Sequence, residues 1–445
     1  MVRSGKASVV LAIDDSARSR QGADVSRPRQ PKSASTARLQ SLSQRFEGQR
    51  VLHDDGFLIF SDNPKKTVQC AIELCRDAYD DWPSALAGHL EKEGIRDEAT
   101  AFVASRLRRL SQDKHIILSK DLFDTVRVNG LGGNSDELLW IAHGSYHVEG
   151  LTFPQEIFEV RIKGSSPWSP TDEVAFTESK DSPLILGWRP ARGQRVPMCM
   201  DWELRRRNSH DSIGELWEAI NTHSFEKRAF FFIFNKEVSR LAKQRSLWIG
   251  RLKSIFYRSR RIVRVYDFSF ETEPPFVSMA TTSFTQLSST LSVMRLDIRM
   301  RLEIAAQIAE TLAAAHSAGV VHGAISPDNV LIRISTNGVP RVKLKNFAIP
   351  HPPHASAREI YASPCNTKHS MSIFSDHYAF GVVFYQLACG DLSRPIRPGW
   401  ESDVPNHRLR RSIEAAVSSP SSEKFKSLAT IAEELRASDE FSPDS

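Results

Sequence analysis

The sequence predicts an α+β protein of two domains. Strand-like and helix-like periods alternate along both halves of the chain. A Ser/Pro-rich stretch of weak periodicity, residues 163–185, separates the halves. The C-terminal half also carries a long helical pattern followed directly by a hairpin pattern.

Composition bounds the function. At 445 residues the chain has length for roughly three globular units. Its 40% hydrophobic and 25% charged content is that of an ordinary soluble protein. No apolar stretch reaches the roughly 18–20 residues a membrane span needs, and the longest, Tyr378–Gly390, reads as a buried core helix. Met1 to Lys6 leads into a strand-like run and not a secretory leader. The five cysteines (Cys70, Cys75, Cys199, Cys365, Cys389) form no CxxC pair or metal-ligand spacing, which implies reduced thiols and a cytoplasmic location. The net charge of +6 is mild and does not call for nucleic acid.

In the N-terminal half, Ser8–Asp14 is an apolar strand ending in an acid, and residues 20–37 read as a loop or frayed helix start. Arg50–Phe60 is a hairpin with Asp55-Gly56 at its turn. Lys65–Tyr79 places Val68, Ala71, Ile72 and Cys75 on one helical face. Ala99–Leu107, Ile116–Ser119 and a last strand, Glu156–Ile162, follow. In the C-terminal half, Trp202–Leu204 opens a strand and Arg228–Phe234 forms another. Asp297–Gly319 carries Leu302, Ala305, Ile308, Ala309 and Leu312 on one helical face, with Asp297 as N-cap and Gly319 as C-cap. Val330–Ile334 and Arg341–Leu344 flank an Asn337-Gly338 turn. The polar, acidic tail after Arg436 reads as disordered.

The stretch His322-Gly323-Ala324-Ile325-Ser326-Pro327-Asp328-Asn329-Val330-Leu331 resembles the catalytic loop of protein kinases. Lys345-Asn346-Phe347-Ala348 resembles their metal-binding motif, Ser363-Pro364-Cys365 their A-P-E motif, and Ser375-Asp376 to Gly381 the start of their central helix. The resemblance implies a bilobal kinase-like fold in which His322, Asp376 and Gly381 are structural and Asp376 accepts hydrogen bonds from the catalytic-loop backbone. It also implies lost chemistry. Ala324 stands at the catalytic Asp, Ser326 at the catalytic-loop Lys, Asn346 at the metal-binding Asp and Phe231 at the phosphate-binding Lys. Val238–Tyr266 offers no acid for the ion pair to that Lys, and only Gly214 survives of the glycine-rich loop. Phosphoryl transfer needs Mg²⁺, a Lys and a positioning carboxylate, so no catalytic set is intact. The nucleotide contacts left to ATP and Mg²⁺ are Gly214, Asn329 and Asn346, and no bound cofactor is expected. Lys424 takes the place of the Arg that pairs with the A-P-E Glu, now Cys365.

The N-terminal half resembles a class III adenylate/guanylate cyclase domain, a ferredoxin-like α/β sandwich. Asp14 and Asp55 fit its two metal-binding carboxylates and Arg106 its transition-state Arg. Phe102, Val51, Asp54 and Glu149 depart from its pattern at the Asn, the purine-reading Lys, the first Gly of G-D-G and the Lys of L-K-G. The resemblance implies a homodimer through this domain.

The expected arrangement is a degenerate cyclase-like domain at 1–163, a linker at 164–198, a kinase-like N-lobe at 199–290, a C-lobe at 291–436 and a disordered tail at 437–445. Nine Lys/Arg between Arg240 and Arg264 suggest a docking surface for an acidic protein partner, as against a solvated helix face. The function expected is that of a bacterial-type pseudokinase acting as a cytoplasmic signalling scaffold or allosteric regulator. The alternatives are an atypical Ser/Thr kinase transferring the ATP γ-phosphate to protein, or an atypical nucleotidyl cyclase.

Overall fold

The computed structural model describes residues 8–14, 33–53, 56–76, 85–91, 97–108, 110–111, 115–132, 135–169, 184–255, 259–347, 349, 360–364, 372–419 and 422–437. The chain folds as two units. One holds residues 1–209, 216–227 and 271–274, and the other 210–215, 228–270 and 275–445.

The first unit begins with β1 (Ser8–Asp14), α1 (Ser33–Arg45), β2 (Gln49–His53), β3 (Gly56–Ser61), α2 (Pro64–Arg76) and β4 (Ala85–Glu91). It continues with α3 (Asp97–Arg108), β5 (His115–Ser119), α4 (Lys120–Asn129), β6 (Leu138–Tyr146), β7 (Gln155–Ile162) and β8 (Gly187–Trp188). These eight strands form one sheet in the order β2-β3-β1-β4-β5-β7-β6-β8, antiparallel except for β4–β5. β1 is apolar from Val9 to Ile13, where it is covered on both faces. Val9, Leu11 and Ile13 pack with residues of α2 and α4, whereas Val10 and Ala12 pack with Ala101 and Ala104 of α3.

The stretch 184–198, expected within a linker, is built into this unit. β8 pairs with β6, and the Arg189 backbone N–H donates to the Trp140 carbonyl at 2.7 Å. The buried Arg127 guanidinium donates to the Pro190 carbonyl at 2.8 Å while its Nε donates to Asp124 at 2.8 Å. Gln194 Nε2 donates to the Leu138 carbonyl at 2.6 Å. A short β9 (Arg195–Val196) then pairs with β10 (Cys199–His210), and β11 (Gly214–Asn221) follows. The expected N-lobe segment 199–290 is therefore divided in sequence, with most of β10 and β11 in the first unit.

The second unit contains β12 (Lys227–Ile233), α5 (Lys236–Gln244), α6 (Ser246–Ile255), β13 (Val265–Ser269), β14 (Phe276–Ala280), β15 (Thr285–Gln286) and α7 (Leu287–Val293). Its helical part adds α8 (Ile298–Ser317), β16 (Val330–Ile334), β17 (Pro340–Leu344), α9 (Ile373–Cys389), α10 (His407–Val417) and α11 (Leu428–Ala437). β14 pairs antiparallel with both β12 and β13, and β15-β16-β17 form a separate small sheet. α8 starts where its sequence says it should, with the Asp297 side chain accepting from the Met300 N–H at 2.7 Å. Gly338 turns the β16–β17 hairpin at φ +79°. α9 is capped by a reciprocal Ser372–Ser375 pair and lies buried along most of its length. Gly381 lets α10 approach α9, since a Cβ there would sit 2.5 Å from Val417 Cγ1.

Arg127 ties 184–198 to the first unit, so Arg127→Met should leave Asp124 and the Pro190 carbonyl uncompensated. The expected loss is about 3 kcal/mol in urea unfolding of the full chain. An unchanged first unfolding transition would mean that Arg127 does not tie this stretch to the unit.

Candidate functional site

A buried carboxylate organises the catalytic-loop segment. Asp376, in the first turn of α9, is 1% exposed. Its Oδ2 accepts from the His322 N–H at 2.7 Å and lies 2.8 Å from His316 Nε2, at the end of α8. Its Oδ1 accepts from the Gly323 N–H at 2.7 Å. Gly323 sits at φ +70°, a backbone state glycine adopts without strain. The Ala324 N–H donates to His322 Nδ1 at 3.2 Å, and the His322 ring lies 4.3 Å from that of Phe347. Burial of His322 pushes its imidazole down to about 4, outweighing the nearby Asp376 and the Lys345 carbonyl. His377 is also buried, stacked on Phe425 at 4.8 Å between centroids. Burial, reinforced by His316, lowers it to about 4. Sequence reasoning found His322 and Asp376 and missed His316 and His377. The place of His316 in the last turn of α8 was the available signal.

The positions that the kinase resemblance would assign to chemistry carry uncharged side chains. Ala324 presents a methyl group. Asn329 Nδ2 donates to the Ala324 carbonyl at 2.8 Å, and Asn329 Oδ1 accepts from Asn346 Nδ2 at 3.0 Å. The two residues expected nearest a metal thus satisfy each other as neutral amides. Asn346 adopts φ +62°, a left-handed conformation Asn tolerates. Ser326 is 2% exposed, and its Oγ has no hydrogen-bond partner among the described residues. Phe231 is 7% exposed in β12, opposite Val277. Phe230 and Phe232 pack against Phe276 from the neighbouring positions of the same strand. A Cβ on Gly214 would lie 1.9 Å from the Phe232 carbonyl oxygen, so this glycine serves close strand approach. A cavity lined by Ile249, Leu252, Val265, Met279, Phe347 and Asn346, among others, has a volume of about 10 Å³, room for a single water.

Much of the basic stretch is engaged within its own unit. Arg240 pairs with Glu237, Arg261 with Glu310, Arg251 reaches the Gly319 carbonyl at 3.4 Å, and Arg264 lies over the Tyr266 ring at 4.7 Å. Arg258 lies outside the described residues, as do Ala348 and Cys365. Lys424 pairs with Glu414 of α10.

In the first unit, Asp14 ends β1 opposite Gly56; its side chain and all of Asp55 lie outside the described residues. Arg106 lies over the exposed Phe102 ring at 4.9 Å and beside Gly150. Val51 is exposed on β2. One buried cluster was not read from the sequence. Glu159 is 0% exposed, with Oε1 2.7 Å from His115 Nδ1 and Oε2 3.0 Å from His143 Nε2. Burial alone would raise this carboxyl, but its bonds to His115 and His143 more than offset that and hold it low. Each imidazole faces its own oxygen. Among the described residues no group of three or more His, Cys, Asp or Glu is arranged to hold a metal.

The buried histidines fix a pH dependence. His322 and His377 take up protons near pH 6.5 when unfolded but only near pH 4 when folded, so the unfolded state binds more protons between those values. Stability is full above about pH 6.5 and falls as pH drops toward about 4. Urea unfolding of His377→Phe, which keeps the stack on Phe425, should show a shallower fall than wild type. Equal slopes would remove His377 from this linkage.

Residues 249–426 match the protein tyrosine and serine/threonine kinase family. The serine/threonine-protein kinase Pkn1 of Myxococcus xanthus is 28% identical over 161 residues, covering 34% of this chain and 23% of that protein. The chain thus spans about a quarter of the length of this relative. Crystal structures of the PknI kinase domain of Mycobacterium tuberculosis are also similar. A double-mutant form covers 56% of this chain and 98% of its own, with 17% identity and a TM-score of 0.47. Another form gives 19% identity, 53% and 95% coverage and a TM-score of 0.43. By the family match and the Myxococcus xanthus relative, a protein-kinase domain with bacterial Ser/Thr kinase homologues lies in the C-terminal region. Among the described residues no helix is long and apolar enough to cross a membrane.

Proposed function

We propose that this protein is a pseudokinase: a kinase-family domain that signals by binding, as a scaffold or allosteric regulator, and transfers no phosphate. The observation that carries the reading is the direct Asn329–Asn346 amide pair beside Ala324. A neutral amide pair neutralises no phosphate charge, and a methyl group accepts no proton from a hydroxyl nucleophile. Phe231 inside β12 supports it, because the ammonium expected there is replaced by a buried ring. Loss of the general base alone costs about 10²–10⁴ in rate, before the metal and Lys are counted.

A cyclase-like origin for the first unit is part of this reading. The order β2-β3-β1-β4, with β1 antiparallel to both neighbours, supports a ferredoxin-like split βαβ arrangement. The side chain of Arg106, lying on Phe102, supports a vestigial site over a working one. Pairing through this unit and a cytoplasmic setting complete the proposal; Cys70, Cys75, Cys199 and Cys389 are free thiols. A residual Ser/Thr kinase activity is the second reading, favoured by the name of the Myxococcus xanthus relative.

The purified chain, incubated with Mg²⁺ and γ-labelled ATP, should incorporate no label into itself or a general protein substrate, and Mg-ATP should leave its melting temperature unchanged. Ligand at 100 times its dissociation constant would add about 2.7 kcal/mol. Incorporation that disappears in Asn329→Ala would establish the second reading.

A further inference from the structure

The β16–β17 hairpin presents two different faces. Val330, Ile332, Val342 and Leu344 point into the core. The alternate positions carry Leu331, Arg333, Arg341 and Lys343, with Arg333 paired across the strands to Arg341 and Leu331 to Lys343. Three cations therefore share one face within a cross-strand and a two-residue spacing. Among the described residues none of them has a carboxylate partner. Arg333 donates to Ser283 Oγ at 3.2 Å, and its guanidinium lies 4.9 Å from the centre of the Phe284 ring. Lys343 Nζ approaches the same ring at 5.6 Å. Two like charges are thus gathered around one aromatic ring. Burial chiefly, and the proximity of Arg333 in addition, lower the Lys343 ammonium.

We infer that this face is a docking strip for an acidic polypeptide segment, one rich in carboxylates or bearing a phosphorylated side chain. Anions relieve the repulsion among Arg333, Arg341 and Lys343, and Arg supplies two parallel donors to a carboxylate or phosphate. Arg333 and Arg341 are exposed on the strand face. Arg341 and Lys343 follow one another along β17, with Arg333 directly across from Arg341, a spacing an extended peptide laid along the strand can meet. The half-buried Phe284 and Val339, 46% exposed near the hairpin turn, offer apolar contact at the flanks. This surface uses no residue of the nucleotide region and does not depend on whether phosphate is transferred.

The test is fluorescence anisotropy of the full chain with a labelled peptide of alternating Glu and phosphoserine, at low and at physiological salt. Wild type should bind with steep salt dependence. Arg333→Ala/Arg341→Ala should weaken binding at least about tenfold, equivalent to about 1.4 kcal/mol. Arg397→Ala/Arg411→Ala, which removes the same charge from exposed sites elsewhere, should leave it within about twofold. Arg341→Glu, at an exposed side chain, repeats the test if the double variant melts early. The inference is overturned if wild type does not bind the peptide, if the control pair loses as much affinity, or if an oligonucleotide of equal charge binds as tightly.

Discussion

A single carboxylate, Asp376, determines how the catalytic-loop segment is held. Buried at the start of α9, it must be fully hydrogen-bonded, and its partners come from three places: the end of α8 through His316 and two successive backbone amides, His322 and Gly323. That requirement fixes the position of the loop between two buried helices. Removing the carboxylate would strand two buried N–H groups, each costing about 1–3 kcal/mol. The frame is therefore maintained by folding energetics, whatever the loop does chemically.

On the proposed reading, this separation is what lets the frame persist without phosphoryl transfer. The groups that position the loop are backbone amides and a buried acid. The groups that would act on phosphate point elsewhere, and here they are Ala324, Asn329 and Asn346. Asparagine at position 346 fits the left-handed backbone and finds its hydrogen bond in Asn329, so the loss of charge leaves no unpaired buried carboxylate. At β12, Phe231 is buried in a strand already lined by Phe230 and Phe232, a setting that suits a ring. Each of these residues is compatible with the fold around it, and on the proposed reading none of them serves phosphoryl transfer.

The first unit is governed by a different constraint, a central strand buried on both faces. Further along the same sheet, in β7, the fully buried Glu159 must likewise be paired, and it meets that demand with His115 and His143. His143 occupies the register shift between Ala142 and Gly144 of β6, and the bulge sets its ring toward Glu159.

Sequence alone determined what depends on local chemistry. The Asp297 cap, the Gly338 turn, the alternation in β16 and β17 and the apolar run of α9 all follow from residue type and period, and the structure has each of them. That Ala324, Asn346 and Phe231 carry no charge is legible in the sequence in the same way. Only the tertiary structure decided the pairings between residues far apart in sequence. His316 meets Asp376 across 60 residues, and Glu159 meets His115 across 44. Residues 184–198 read as linker because their Ser/Pro neighbours and weak periodicity carry no strand signal. They are held instead by Arg127 and Gln194, whose partners are backbone carbonyls that any sequence would supply. The cations of the hairpin face were visible one by one. That Arg333 and Lys343 gather around Phe284 required the strand register, which is set by cross-strand hydrogen bonds and not by any residue alone.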